Sequence, residues 1–370
     1  MRKMLYEIFN SRPPNTSSQE MENKRHQRWG LGDHESLGDF KGEGALEMYT
    51  QCEKHDKHRS FVPMELFTIS DLPPEYQNPL VYEMIQVQAA LTVRVSVEWT
   101  SPNRPRSTLN DATIYPVYPG GISGERNAGQ YPFSDKRGTN DLRVGSGIVW
   151  HVVMHEEEDG ATCPCGACVN SPTPSKEWAE LIVYTAVHLI FDEAEAQKAS
   201  CRLHYDKVSS GNGDLTLLEG VGIKTQSRNT DERRPIPCVT PSVELVDCDT
   251  CCLICVTHDT ALAEKLRGLE FKYYDLVGKV NDEYSGKEHR LVVIVSHPHG
   301  CPKYVSVGEW TEQEELDFGE TAFAYQYQAP TCPGSSGAFV YTMGHIWTDP
   351  HVHSCSNKEN CGYSSTAVIF

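Results

Sequence analysis

The chain has 370 residues and a formal net charge of -18, from 33 lysines and arginines against 51 aspartates and glutamates. Such acidity argues against nonspecific nucleic-acid binding, which depends on clustered lysine and arginine, and the length exceeds one typical domain, so a sizeable core is attainable. No apolar run reaches the roughly eighteen residues of a membrane-spanning helix, so no membrane partner is expected.

Residues 1–88 are polar and broken by proline, as in RPPNTSSQEMENKRHQR, and predict a disordered extension with some short helix. The opening MRKMLYEIFNSRPP has a basic start, but Glu7 interrupts its short apolar run, so no secretory signal is read. The 14 cysteines are then expected as reduced thiols in cytosol or nucleus. LTVRVSVEW alternates at period two, a strand signal. LRVGSGIVWHVV, ELIVYTAVHLIF, RLHYDKV, VELVDC and CCLICVTHD follow as strands of a first barrel over residues 89–264. ALAEKLRGLEFKYY predicts a short helix or crossing linker. YYDLVGKV, RLVVIVSH, KYVSVGEW, TAFAYQYQA, GAFVYTMG and STAVIF then supply a second barrel over residues 265–370. Many short strands parted by turn residues predict an all-β fold. Acidic clusters at Glu156 to Asp159 and Glu312 to Glu320 read as solvated loops.

Three residues carry candidate chemistry. In TCPGSSGAFVY, Gly334-Ser335-Ser336-Gly337 sets Ser336 between backbone-permissive residues before an apolar run; His188 ends WAELIVYTAVH; Asp259 lies between them in VTHDTALAEKL. A serine hydroxyl is a poor nucleophile at neutral pH and needs an imidazole to take its proton and return it to the leaving group. A carboxylate fixes the imidazole tautomer. Asp247 and Asp249 compete for that position; Asp259 is preferred because it ends the buried-strand candidate CCLICVT.

The order His, Asp, Ser, with Thr-Ala-x-His and Gly-x-Ser-Gly segments, resembles the chymotrypsin-like serine peptidases. The resemblance implies a double β-barrel and a peptide-bond hydrolase with His188 as base, Asp259 as orienting carboxylate and Ser336 as nucleophile, the N–H groups of Gly334 and Ser336 forming the oxyanion hole. Ala261-Leu262 after Asp259 is similar to the trypsin pattern. TCPGSSGA followed by DPHVHS also resembles a poorly characterised group of invertebrate intracellular proteins with trypsin-like domains. Departures are specific: Leu189 replaces the cysteine beside the base, Phe339 a proline, and Ser335 the aspartate that receives a newly cleaved N-terminus in trypsin. With no Ile-Val-Gly-Gly segment either, the enzyme is expected to be made active or controlled by other means. Within the resemblance His353, with Thr331 and Pro330, would line the primary specificity pocket and favour Glu or Gln before the cut over Arg or Lys; His351 is the alternate.

Cys163, Cys165 and Cys168 place three thiols in six residues and suggest structural zinc, with Cys201 or a histidine as fourth ligand. Cys248, Cys251, Cys252 and Cys255 sit in an apolar run and read as buried free thiols. No cofactor is required for catalysis, the partner is a protein or peptide substrate, and the oligomeric state is left open. The competing readings are a catalytically silent peptidase-like binding module and a zinc-stabilised adapter.

Overall fold

The computed structural model describes residues 33–34, 49, 52, 54–104, 132–207, 216–223, 249–286, 288–317, 321–345, 350–356, 361–365 and 367–369. Two short strands, β1 (Asp33–His34) and β2 (Phe61–Pro63), precede the helix α1 (Pro79–Leu91). Asn78 starts α1 by accepting the Leu80 N–H at 2.8 Å, and Pro79 suits the first turn, where its missing N–H costs nothing. The helix buries Val81, Met84, Ile85 and Leu91, then runs directly into β3 (Thr92–Val97).

β3 pairs with β4 (Arg143–His155), β4 with β5 (Trp178–Thr185), and β6 (Ala199–Leu203), β7 (Thr216–Ile223) and β8 (Cys251–Thr257) close a six-stranded barrel in the order β3-β4-β5-β8-β7-β6. Alternation turns Val93, Val95 and Val97 inward at 0% exposure, where they meet Ile148, Leu181, Val183 and Leu253. The helix α2 (Thr260–Glu283) follows and buries Ala263, Leu266, Tyr273, Leu276 and Val280, spaced at three, seven, three and four residues along one face, against α1 and β4.

The second sheet contains β9 (Leu291–Ser296), β10 (Tyr304–Asp317), β11 (Thr321–Tyr327), β12 (Val340–Thr342), β13 (His353–Ser356) and β14 (Gly362–Ser364) in the order β1-β13-β14-β11-β10-β9-β12. β2 adds to β10 and β15 (Ala367–Ile369) to β11. A bridge between Phe339 and Val352 draws its two ends toward each other without completing a ladder. A closed six-stranded barrel followed by this half-closed one is a chymotrypsin-like double β-barrel, all-β as the strand pattern predicts and two-barrelled as the resemblance implies.

Several boundaries differ from the sequence reading. Residues 54–88, assigned there to the disordered extension, contribute β2 and most of α1 to the core, because α1 carries an apolar face that the proline-broken segment before it conceals. YYDLVGKV is helical: Tyr273, Leu276 and Val280 recur at helical spacing, and tertiary packing overrides the β-propensity of its tyrosines and valines. Glu312 to Asp317 belong to β10, paired with β11, rather than to a loop. The strand β7 has no counterpart in the sequence reading, and VELVDC lies outside the described residues. Among the described residues no helix is long and apolar enough to cross a membrane.

Candidate active site

The antiparallel register of the first barrel brings His188 and Asp249 together. Thr185, at the end of β5, faces Cys251, at the start of β8, so His188 just beyond the one strand meets Asp249 just before the other. The His188 Nδ1 lies 2.6 Å from Asp249 Oδ2, and the His188 backbone N–H donates to Asp249 Oδ1 at 3.0 Å. Ser354 on β13 donates its hydroxyl to the same Oδ2 at 2.6 Å, a contact from the second sheet. On the other side of the ring His188 Nε2 stands 2.8 Å from Ser336 Oγ. All three residues have 0% exposure.

Asp259, the sequence-preferred acid, is not part of this group. It is exposed and caps α2, its Oδ1 accepting the Leu262 N–H at 2.9 Å. It sits beyond the far end of β8, where Thr257 faces Ala179, and seven extended residues carry the chain roughly 23 Å away from the base. Asp247 lies outside the described residues.

The turn bearing His188 is held by a buried charge network. Arg104 donates to the carbonyls of His188 at 3.0 Å and Leu189 at 3.2 Å, and its Nε pairs with Glu195 at 2.6 Å. Arg143 joins Glu195 at 3.0 Å and reaches the same Leu189 carbonyl at 3.3 Å. Leu189, which occupies the place of the cysteine in the resembling family, is thus tethered by guanidinium groups. Burial alone would raise the Glu195 carboxyl, but Arg104 and Arg143 outweigh it and hold its pKa below the ordinary value. Burial, then the like charge of Arg104, draws Arg143 down to about 10, against the opposing pull of Glu195.

The loop bearing Ser336 is pinned to the first barrel by Ser146 of β4. Its N–H donates to the Ser336 carbonyl at 2.8 Å and its hydroxyl to the Gly334 carbonyl at 2.8 Å, while the hydroxyl accepts the His297 N–H at 2.9 Å. Gly145 beside it is needed for this approach, since a Cβ there would lie 2.8 Å from the Ser336 oxygen. Gly334 has φ +101° and packs on the 297–300 turn, where a Cβ would overlap the His297 oxygen. Among the described residues the amides of Gly334 and Ser336 donate to no protein acceptor. Sequence reasoning passed over Ser146, Ser354, Arg104, Arg143 and Glu195. Only Ser146 left a signal, two glycines inside the strand VGSGIVW, which mark a close backbone approach.

His353 is buried, 2.5 Å by Nδ1 from the Tyr327 hydroxyl, and its backbone carbonyl accepts the Gly337 N–H at 2.8 Å. His351 turns to the Ser365 carbonyl at 3.0 Å. Thr331 is buried and Pro330 half-buried in the segment joining β11 to the nucleophile.

Cys163, Cys165 and Cys168 converge with His258, whose Nε2 lies 3.1, 3.8 and 3.4 Å from their respective sulfurs. Cys201 is elsewhere, 3.7 Å from Cys255 in the barrel interior. Cys251 and Cys255 are buried free thiols as expected, whereas Cys252 is disulfide-bonded and Cys248 lies outside the described residues.

No protein-family model and no curated protein matches the chain, so the expected kinship with an invertebrate group finds no support. Among solved structures, the active form of the Rv3671c protease from M. tuberculosis aligns at 12% identity and TM-score 0.34, covering 78% of this chain and 82% of that one. The HtrA-type protease AlgW with a decapeptide aligns at 12% identity and TM-score 0.34, covering 76% and 62%. Deg5 aligns at 13% identity and TM-score 0.35, covering 80% and 91%.

Proposed function

We propose that the protein is a serine endopeptidase in which Ser336 attacks the peptide carbonyl, His188 takes its proton and later gives it to the leaving amine, and Asp249 holds the imidazole. The observation that carries this reading is the continuous chain from Asp249 through His188 to Ser336, at 2.6 and 2.8 Å. Two hydrogen bonds from His188 to one carboxylate fix the ring so that Nε2 is the nitrogen offered to the hydroxyl. The unspent amides of Gly334 and Ser336 supply the oxyanion donors, each worth about 100- to 1000-fold in rate.

Preference for Glu or Gln before the cut follows from His353, whose Nδ1 is engaged by Tyr327 so that the ring is held in one orientation. A peptide-library profile dominated by basic residues would overturn this specificity. Cys163, Cys165, Cys168 and His258 fit structural zinc, a Cys3His set whose donor atoms all lie within 4.8 Å of one another. These free thiols favour a reducing compartment, cytosol or nucleus, whereas the disulfide at Cys252 argues the other way.

Fluorophosphonate treatment followed by intact-mass spectrometry tests the mechanism. One adduct on the wild type, absent from Ser336→Ala, is expected. A second reading, a silent peptidase-like binding module, is favoured by the 0% exposure of Ser336, which closes the hydroxyl to solvent in this conformation. No adduct on well-folded protein would decide for it.

A further inference from the structure

A second cysteine and histidine cluster lies against the nucleophile loop, apart from the Cys163 group. Cys52 and His58 come from the segment before β2, His299 from the turn after β9, and Cys332 from the turn that leads into Ser336. Their four donor atoms lie within 4.8 Å of one another. The Cys52 and Cys332 sulfurs are 3.8 Å apart, His58 Nε2 is 3.2 Å from the Cys332 sulfur, and the Nε2 atoms of His58 and His299 are 3.4 Å apart. A zinc tetrahedron with Zn–S near 2.3 Å and Zn–N near 2.0 to 2.1 Å has edges of about 3.8 Å between sulfurs, about 3.6 Å between sulfur and nitrogen, and about 3.3 Å between nitrogens. The sulfur–sulfur and nitrogen–nitrogen edges match to about 0.1 Å and the sulfur–nitrogen edge is about 0.4 Å short, whereas a disulfide would need its sulfurs about 2.05 Å apart.

We propose that Cys52, His58, His299 and Cys332 bind a zinc ion. Two thiolates balance the metal's charge, so the site buries no net charge, and His58, His299 and Cys332 are themselves buried. Tyr49 lies tilted over His58 at 4.0 Å between ring centroids, and Phe61 meets His58 edge-on at 5.8 Å, giving the imidazole an aromatic wall of the kind that limits solvent access to a metal site. His299 adopts a left-handed backbone, φ 56° and ψ 22°, and its N–H donates to the Pro333 carbonyl at 2.5 Å. The metal therefore joins three segments distant in sequence at the turn Cys332–Ser335, which is closed by the Ser335 N–H on the Cys332 carbonyl at 2.8 Å. On the proposed peptidase reading, it anchors the loop that presents Ser336.

Metal content of the full chain, purified under reducing conditions from zinc-supplemented cells, tests this site. Two zinc ions per wild-type chain are expected, one in Cys52→Ser, one in Cys163→Ser and none in the double variant. His58→Cys, which replaces one ligand by another, should keep both ions, guarding against loss by misfolding alone. Cobalt substitution of Cys163→Ser should show the absorption of a tetrahedral site with two thiolates. An unchanged zinc count in Cys52→Ser, or a Cys52–Cys332 disulfide in freshly isolated protein, would overturn the proposal. Fluorophosphonate labelling read on the same samples separates the two hypotheses, because a chain that holds two zinc ions and never labels refutes only the peptidase.

Discussion

Asp249 satisfies three donors at once, the His188 ring, the His188 amide and the Ser354 hydroxyl, in a place without solvent. Replacing it by asparagine keeps the shape but offers the ring the wrong tautomer, so Asp249→Asn should lower kcat about 10,000-fold with the fold retained. Asp259→Ala should leave turnover unchanged and cost about 1 kcal/mol of stability through the lost helix cap. Paired kinetics and chemical denaturation of the two variants check this, and a large kinetic loss in Asp259→Ala would reinstate that residue as the acid. His188→Ala should abolish peptide hydrolysis without unfolding, measured by turnover beside circular dichroism. Both aspartates adjoin valine- or cysteine-containing apolar runs, so residue type and neighbours alone did not separate them.

At the scale of elements, the candidate site depends on two connections that hold the loops bearing Ser336 and His188. The nucleophile turn needs the left-handed Gly334, and alanine there would combine φ +101° with a Cβ that overlaps the His297 oxygen. Gly334→Ala should therefore displace the loop and reduce fluorophosphonate labelling of Ser336 at least tenfold in protein that still folds. The turn bearing His188 depends instead on Glu195 between two guanidinium groups. Removing the carboxylate leaves Arg104 and Arg143 buried and uncompensated, so Glu195→Gln should cost about 3 to 5 kcal/mol of unfolding free energy. The pH dependence has a definite sign. The folded pKa of Glu195 lies below its unfolded value of about 4.3, so its contribution is present above that pH and fades as pH falls through the folded pKa. Acid titration of stability should show wild type and Glu195→Gln converging below about pH 4.3; a gap that persisted unchanged would disprove the charge-network account.

Across the whole molecule, the first barrel, the segment before β3 and one face of β9 share an apolar interior, in which Val81, Met84 and Ile85 of α1 lie with Val93 of β3 and Val293 of β9, while Val292, Ile294, Tyr325 and Tyr327 form a separate cluster on the other face of the second sheet. A truncated chain beginning at residue 89, the boundary suggested by composition, should fail to fold because it lacks most of α1, whereas one that keeps residues 49 onward retains both α1 and the Cys52 cluster. Soluble expression with a cooperative thermal transition distinguishes them. Three of the buried cationic groups meet carboxylates, Arg104 and Arg143 at Glu195 and Lys303 at Asp206, 3.0 Å away, while Arg202 lies over the Tyr205 ring.

Local chemistry was written plainly in the chain: short apolar runs between turn residues marked most strands, and the glycines around Ser336, the histidine after an apolar strand and the Cys163 to Cys168 cluster named a candidate nucleophile, a candidate base and a metal candidate. These signals are short-range and survive without knowledge of pairing. What the tertiary structure alone decided was which carboxylate meets His188, which histidine joins Cys163, and that Cys52, His58, His299 and Cys332 converge. Each of those depends on strand register and barrel closure, which bring together residues up to 280 positions apart. The energy that selects one register is spread over the entire core rather than held in any motif, and so no local pattern could reveal it.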